Sequence, residues 1–267
     1  MLHYTFKNYS VNYTNTVSSK MAFTGIQFSK LCYTPNSEVI RKTTENTDFK
    51  IKDIIHLHNT TMIVAQYTGN TDFTVIAFSG TDNYSKQNIV TNWGLRLKQH
   101  DQGRVHAGWL ALFNQFRSAI QHAATAENIL WTGHSRGAVI AALAQAAVGK
   151  GVLYSYGCPR FADGDWITAN TLPHWRFVLR GDPITRLPPR FLGFRHHGVR
   201  IVVPENTQSF DITDGFVLGE LSKDWQLISY TVRDWLRGRQ PGRHHRSMTY
   251  QNCFAHIADS TVNPANE

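Results

Sequence analysis

The apolar positions of this 267-residue chain change period near residue 109. Before that point they fall in short strand-like runs: Ile51 to His58, Met62 to Tyr67, and Phe73 to Phe78. The turn residues His58-Asn59-Thr60 and Gly69-Asn70-Thr71-Asp72 separate the runs, which predicts an antiparallel meander. From Trp109 the spacing becomes helical, through Leu112, Phe113, Phe116, Ala119, Ile120 and Ala123. A strand over 128–132, a helix over 138–148 and a strand from Val152 to Tyr156 follow. A short helix near Asp165 to Asn170 leads to a strand from Trp175 to Leu179, and Arg195 to Val203 reads as one more. Strand alternating with helix predicts a parallel sheet with crossover helices.

The flanks are less regular. Residues 1–20, rich in Asn, Thr, Ser and Tyr, read as a tail or an edge strand, and residues 21–35 are mildly helical. Leu221, Trp225, Ile228, Val232 and Trp235 mark an amphipathic helix, with Arg233, Arg237, Arg239, Arg243 and Arg246 in and after it. Such a basic segment can lie on an anionic membrane, or pack its apolar face on its own sheet. No repeat or linker divides the chain, so 1–267 is expected to be one domain.

Composition narrows the function classes. Hydrophobic residues at 42% and aromatics at 12% suffice for a large core and argue against disorder. No apolar run has the length of a membrane span, and the N-terminus shows no secretory pattern. Cys32, Cys158 and Cys253 are odd in number and far apart, suggesting neither a disulfide framework nor a metal knuckle. A cytoplasmic location is the default expectation, with a non-classical export route left open. The net charge of +8 favours anionic surroundings, but no nucleic-acid-binding motif accompanies it.

The chemistry concentrates at Gly133-His134-Ser135-Arg136-Gly137. A strand, a G-x-S-x-G turn and a helix form the nucleophile elbow of an α/β-hydrolase. The turn is so tight that the serine takes a strained conformation, and side chains at Gly133 and Gly137 would clash. The helix N-terminus behind Ser135 aims backbone N–H groups at developing negative charge. The expected fold is therefore α/β: a mostly parallel central sheet with an antiparallel N-terminal meander and helices on both faces.

A serine nucleophile needs a base, and the base an acid. Asp182 follows the strand 175–179 and fits the acid; an Asx turn before Pro183 is the competing reading. Asp211 and Asp214 lie in a turn-rich segment and are less attractive. His244 and His245, after the turn Gln240-Pro241-Gly242, are both available as base. His196 and His197 start a strand and read as structural. His56 and His58 alternate along a strand without a ligand set, so no metal is expected. His134 points away from the nucleophile. One oxyanion donor is the backbone N–H of Arg136, and Phe78-Ser79-Gly80-Thr81 can supply the other through Thr81.

In order along the chain these residues resemble the class 3 lipases, the fungal-lipase-like branch of the α/β-hydrolases. Val75 to Thr81 resembles their oxyanion strand, Asn92-Trp93 the pair after it, and Val105-His106-Ala107-Gly108-Trp109 the entry to the helix before the elbow. Tyr156-Gly157-Cys158-Pro159-Arg160 is similar to their Y-G-S-P-R segment, Asp182 to Pro189 to the catalytic aspartate and its tail, and His245 to Tyr250 to the histidine region. The likeness extends from about residue 51 to residue 255. It implies catalytic Ser135, Asp182 and His245, an oxyanion hole at Thr81 and Arg136, no cofactor, and a lipid or small ester substrate, glyceride or phospholipid. Ser79 stands where the family usually has Arg, Cys158 where it has Ser, and the histidine motif carries Arg246 and a neighbouring His244. The family's lid would fall at Asp82 to His100, polar enough to be a solvated loop instead. Acyl transfer by the same triad, or a catalytically silent lipid-binding scaffold, are the rival functions.

Overall fold

A computed structural model describes residues 17–69, 72–81, 95–179, 182–203, 211–212 and Tyr250. The meander expected near the N-terminus is present as β1 (Phe49–Leu57), β2 (Thr60–Tyr67) and β3 (Phe73–Phe78). Ile54 pairs with Ile63, and Ile63 with Ala77, both antiparallel. The sheet then turns parallel. β3 pairs with β6 (Asn128–His134), β6 with β7 (Val152–Tyr156), β7 with β8 (His174–Leu179), and β8 with β9 (Val199–Val203). A two-residue strand, Asp211–Ile212, closes the edge antiparallel to β9. Because the central strands are covered on both faces, their residues are buried without alternation, as in β3 and β7.

Two apolar layers sandwich this sheet. On one face α1 (Ser19–Leu31) packs with β6, β3 and β7, where Ala22, Ile26 and Phe28 meet Tyr154, Tyr156 and Phe177. On the other lie α3 (Ala107–Ala123) and α4 (Arg136–Val148). The small residues Ala138, Ala141, Ala142 and Ala144 of α4 are buried, which lets this helix sit close between the sheet and α3. Phe113 and Phe116 of α3 fill the remaining space from outside, each worth roughly 1.5–3 kcal/mol of transfer free energy.

Several boundaries move from their expected places. The helix after the elbow begins at Arg136 rather than 138, because Ser135 is already its cap. The strand expected from Arg195 starts at Val199, since Gly198 turns the chain at φ +85° and Arg195 bridges to Ala162 instead. The expected tail or edge strand over 1–20 ends in helix: α1 starts at Ser19, with the Ser18 hydroxyl accepting from the Met21 N–H. Residues 1–16 lie outside the described residues, as does the amphipathic segment 221–235. Three elements carry weak apolar signals and were not anticipated. They are α2 (Ser37–Thr44), capped by Asn36, and the hairpin of β4 (Leu97–His100) and β5 (Gly103–His106). The expected lid segment thus ends in a hairpin strand, while 82–94 lies outside the described residues.

Candidate active site

Ser135 sits between β6 and α4 at φ +58° and ψ −126°, the strained turn that its pentapeptide requires. A Cβ on Gly137 would overlap the Phe78 carbonyl oxygen, and one on Gly133 the Gly137 carbonyl. Both glycines are therefore demanded by close backbone approach, as expected. The Ser135 N–H donates to the Tyr156 carbonyl at 2.9 Å, which ties the elbow to the end of β7. Arg136 opens α4, so its backbone N–H lies in the first turn of that helix.

Asp182 follows β8 and is buried. Its Oδ1 accepts the Ile184 N–H at 2.9 Å, and its Oδ2 accepts the Tyr250 hydroxyl at 2.7 Å. The Asx turn weighed against a functional role is therefore real, and it occupies one oxygen. The Tyr250 hydroxyl accepts the Leu179 N–H at 3.0 Å. Burial and the neighbouring Asp182 charge push the Tyr250 phenol well above its ordinary range, so it stays a neutral donor. His244, His245 and Asp214 lie outside the described residues.

The segment after β3 is gripped from several sides. Ser79 exchanges two bonds with Thr61: its N–H donates to the Thr61 carbonyl at 2.9 Å, and its Oγ accepts the Thr61 N–H at 2.8 Å. At Gly80 a Cβ would crowd the His134 carbonyl at 2.8 Å and the Ser135 Cβ at 3.0 Å, so this turn lies against the elbow. The Gly80 N–H donates to the Tyr33 hydroxyl at 3.0 Å, and that hydroxyl meets His134 Nδ1 at 2.7 Å. The Tyr33 hydroxyl thus bridges the Gly80 N–H and the His134 ring. His134 is thereby engaged in a structural contact. Thr81, half-buried, comes next in the chain. Tyr33 was not singled out in the sequence, and nothing in its neighbourhood marks it.

Other motif residues brace this arrangement. Arg160, buried, donates to the Arg186 and Pro188 carbonyls, and its N–H donates to the Leu187 carbonyl at 2.8 Å. The Tyr156–Arg160 segment is thus tied to the tail that follows Asp182. His106 caps α3, its Nδ1 accepting the Trp109 N–H at 3.4 Å while the rings stack at 3.9 Å. Burial lowers its pKa to about 4. Cys158 is a buried small residue whose thiol is pushed up to about 12 by desolvation. His197, read as structural, is buried and bonds the Asn170 carbonyl at 2.7 Å. His56 bonds Ser37 and Thr61 hydroxyls, each at 2.9 Å. Among the described residues no group of three or more His, Cys, Asp or Glu could hold a metal.

A family model described as lipase (class 3) matches residues 75–192, the span from β3 to the turn after Asp182. Over this span the chain is similar to the class 3 lipases. A secreted mono- and diacylglycerol lipase from Fusarium solani is 30% identical over 149 residues, covering 45% of this chain and 45% of that protein. The chain thus matches less than half the length of that curated relative. The lipase fold extends further. The crystal structure of a mono- and diacylglycerol lipase from Aspergillus oryzae superimposes with a TM-score of 0.65 at 21% identity, covering 89% of this chain and 99% of that one. A lipase from Rhizopus microsporus var. chinensis gives 0.61 at 17%, over 80% and 84%.

One expectation is overturned. The cytoplasmic default does not stand beside a relative that is itself described as secreted. Unpaired cysteines had favoured a reducing compartment, yet Cys32 and Cys158 are buried with thiols pushed up by desolvation. Thiols so protected tolerate oxidising surroundings, so their count carries no compartment signal. Among the described residues no helix is long and apolar enough to cross a membrane.

Proposed function

We propose that this chain is a serine ester hydrolase acting on acylglycerols, with Ser135 as nucleophile, His245 as base and Asp182 as the acid behind it. The observation that carries this is the pairing of a strained Ser135 at the end of β6 with a buried carboxylate, Asp182, after β8, two strands away in the same parallel sheet. Tyr250, five residues after His245 in the chain, bonds that carboxylate and supports the choice of the C-terminal histidine.

In this scheme His245 takes the Ser135 proton as Oγ attacks the ester carbonyl. Asp182 holds the imidazole in the donating tautomer and stabilises its cation. The backbone N–H groups of Thr81 and Arg136 receive the oxyanion. His245 then protonates the leaving alcohol, and water releases the acid from Ser135 by the same steps in reverse. No cofactor takes part.

Mono- and diacylglycerols are the preferred substrates in this proposal, drawn from the acylglycerol lipases that the chain resembles in sequence and fold. The test is labelling of purified protein with a fluorophosphonate, followed by product analysis on mono-, di- and triacylglycerol and on phosphatidylcholine. Labelling of the wild type but not of Ser135→Ala, with fatty acid released fastest from the partial glycerides, is expected. An unlabelled wild type would remove the enzyme assignment, and faster phospholipid cleavage would replace the substrate class.

A further inference from the structure

The side chain of Arg136 lies apart from its backbone role. Its Nη2 donates to the Asn59 carbonyl at 2.8 Å, to Thr60 Oγ1 at 2.6 Å and to the Gly80 carbonyl at 3.2 Å. These three oxygens belong to the tip of the β1–β2 hairpin and to the turn after β3. One guanidinium nitrogen therefore straps a hairpin tip and the oxyanion turn to the first residue of α4.

The contact with Gly80 has a consequence for the next residue. The peptide unit is planar and trans, so the Gly80 carbonyl and the Thr81 N–H belong to one rigid plane and point in opposite directions. Whatever fixes the carbonyl also fixes the N–H. Gly80 has no Cβ, because Ser135 and the His134 carbonyl leave no room for one. The same lack of a Cβ would let the 80–81 peptide rotate cheaply about the glycine dihedrals. The preceding plane is already held, since the Gly80 N–H donates to Tyr33. Arg136 holds the following one. A cation on the carbonyl also polarises the N–H of the same amide, which strengthens it as a donor.

We propose that the Arg136 guanidinium is a positioning residue for the oxyanion hole: it orients the Thr81 N–H, while the Arg136 backbone N–H supplies the second donor. This rests on the reading of Ser135, Thr81 and Arg136 given above. At position 79, where the family pattern usually has Arg, Ser79 bonds Thr61, and the guanidinium at this turn comes from Arg136.

The experiment compares wild type, Arg136→Leu and Arg136→Lys on a soluble nitrophenyl ester, with an alkyl boronic acid as an anionic analogue of the tetrahedral state. Neither substitution removes a backbone N–H. A misaligned oxyanion donor predicts that Arg136→Leu loses roughly tenfold or more in kcat, with KM little changed and boronate affinity falling in parallel. Arg136→Lys keeps the charge but places it on a more flexible stem, and is expected to recover only part of the loss. Wild-type kcat and boronate affinity in Arg136→Leu would overturn the inference, and so would full recovery by Lys, which would make charge alone sufficient. Should Arg136→Leu not fold, Thr60→Val removes one anchor of the strap and carries the same test, with a smaller loss in kcat expected and no loss overturning it. Ser135→Ala separates the two levels: if it retains turnover, the nucleophile assignment falls, whereas an inactive Ser135→Ala beside an unimpaired Arg136→Leu removes the strap alone.

Discussion

The Tyr250 hydroxyl donates to Asp182 Oδ2 at 2.7 Å and at the same time accepts the N–H of Leu179, the last residue of β8. All three groups are buried in or beside the sheet core. One hydroxyl thus joins the end of a strand, a carboxylate and the C-terminal part of the chain. Tyr250→Phe keeps the ring, which packs edge-on to Tyr156 and His134, and removes this junction alone. Leu179 and Asp182 would each lose a buried partner. We expect a loss of about 1–3 kcal/mol in unfolding free energy, measured by urea denaturation, together with a lower kcat. An unchanged urea midpoint would mean that water replaces the hydroxyl and that the bond contributes little.

Asp182→Asn tests the acid more directly. Its Oδ1 can still accept the Ile184 N–H, and the Thr185 hydroxyl still bonds the residue 182 carbonyl, so the turn is retained. The amide cannot hold an imidazole in the tautomer that accepts the serine proton. The expected outcome is a folded protein slower by on the order of 10³–10⁴-fold, by ester hydrolysis with circular dichroism as the folding control. Ordinary rates would move the acid elsewhere, with Asp211 and Asp214 next.

The elbow and the strands around it were legible because their constraints are local. Gly133, Gly137 and the alanines of α4 announce close packing within a few residues of Ser135. The position of Asp182 after a strand was legible too. Tyr33 was not, since its partners Gly80 and His134 lie 47 and 101 residues away and its own helix end gives no hint of them. The β4–β5 hairpin was missed because Lys98, Gln99 and Arg104 are exposed and offer no apolar alternation. The role of Ser79 was half legible. Its departure from the family pattern showed in the sequence, but the bond to Thr61 requires the register of β2 against β3.

The histidine doublet offers an internal control. Both residues follow Pro241-Gly242 in the sequence, and each alanine substitution removes one imidazole from the same segment. His245→Ala is expected to abolish turnover by several orders of magnitude, and His244→Ala to leave most of it. Equal losses would leave the base unassigned, and a loss confined to position 244 would reverse the choice. Steady-state rates on a soluble ester decide between these outcomes without involving a lipid surface.

Behind β7 and β8 a chain of neutral histidines makes acid sensitivity a structural expectation. His197 Nε2 donates to the Asn170 carbonyl at 2.7 Å, so in the neutral ring Nδ1 must accept. His174 Nδ1 donates to it at 3.0 Å, and His174 Nε2 in turn accepts the Ser155 hydroxyl at 2.6 Å. Protonating both rings would set N–H against N–H in a buried site that also faces Arg176. Burial lowers His197 from 6.5 to about 4 and drives His174 well below its ordinary value. The unfolded chain therefore binds more protons than the folded one below about pH 6.5. Stability present above that pH is lost on acidification toward pH 4, by about 1.4 kcal/mol per pH unit for each such group. His197→Gln keeps a donor for Asn170 and cannot titrate. Its unfolding free energy, measured by urea denaturation at intervals between pH 6.5 and 4, should depend less steeply on pH than that of the wild type. Identical slopes in the two proteins would mean that His197 is already charged in the folded state, and that the order of donors along this chain is reversed.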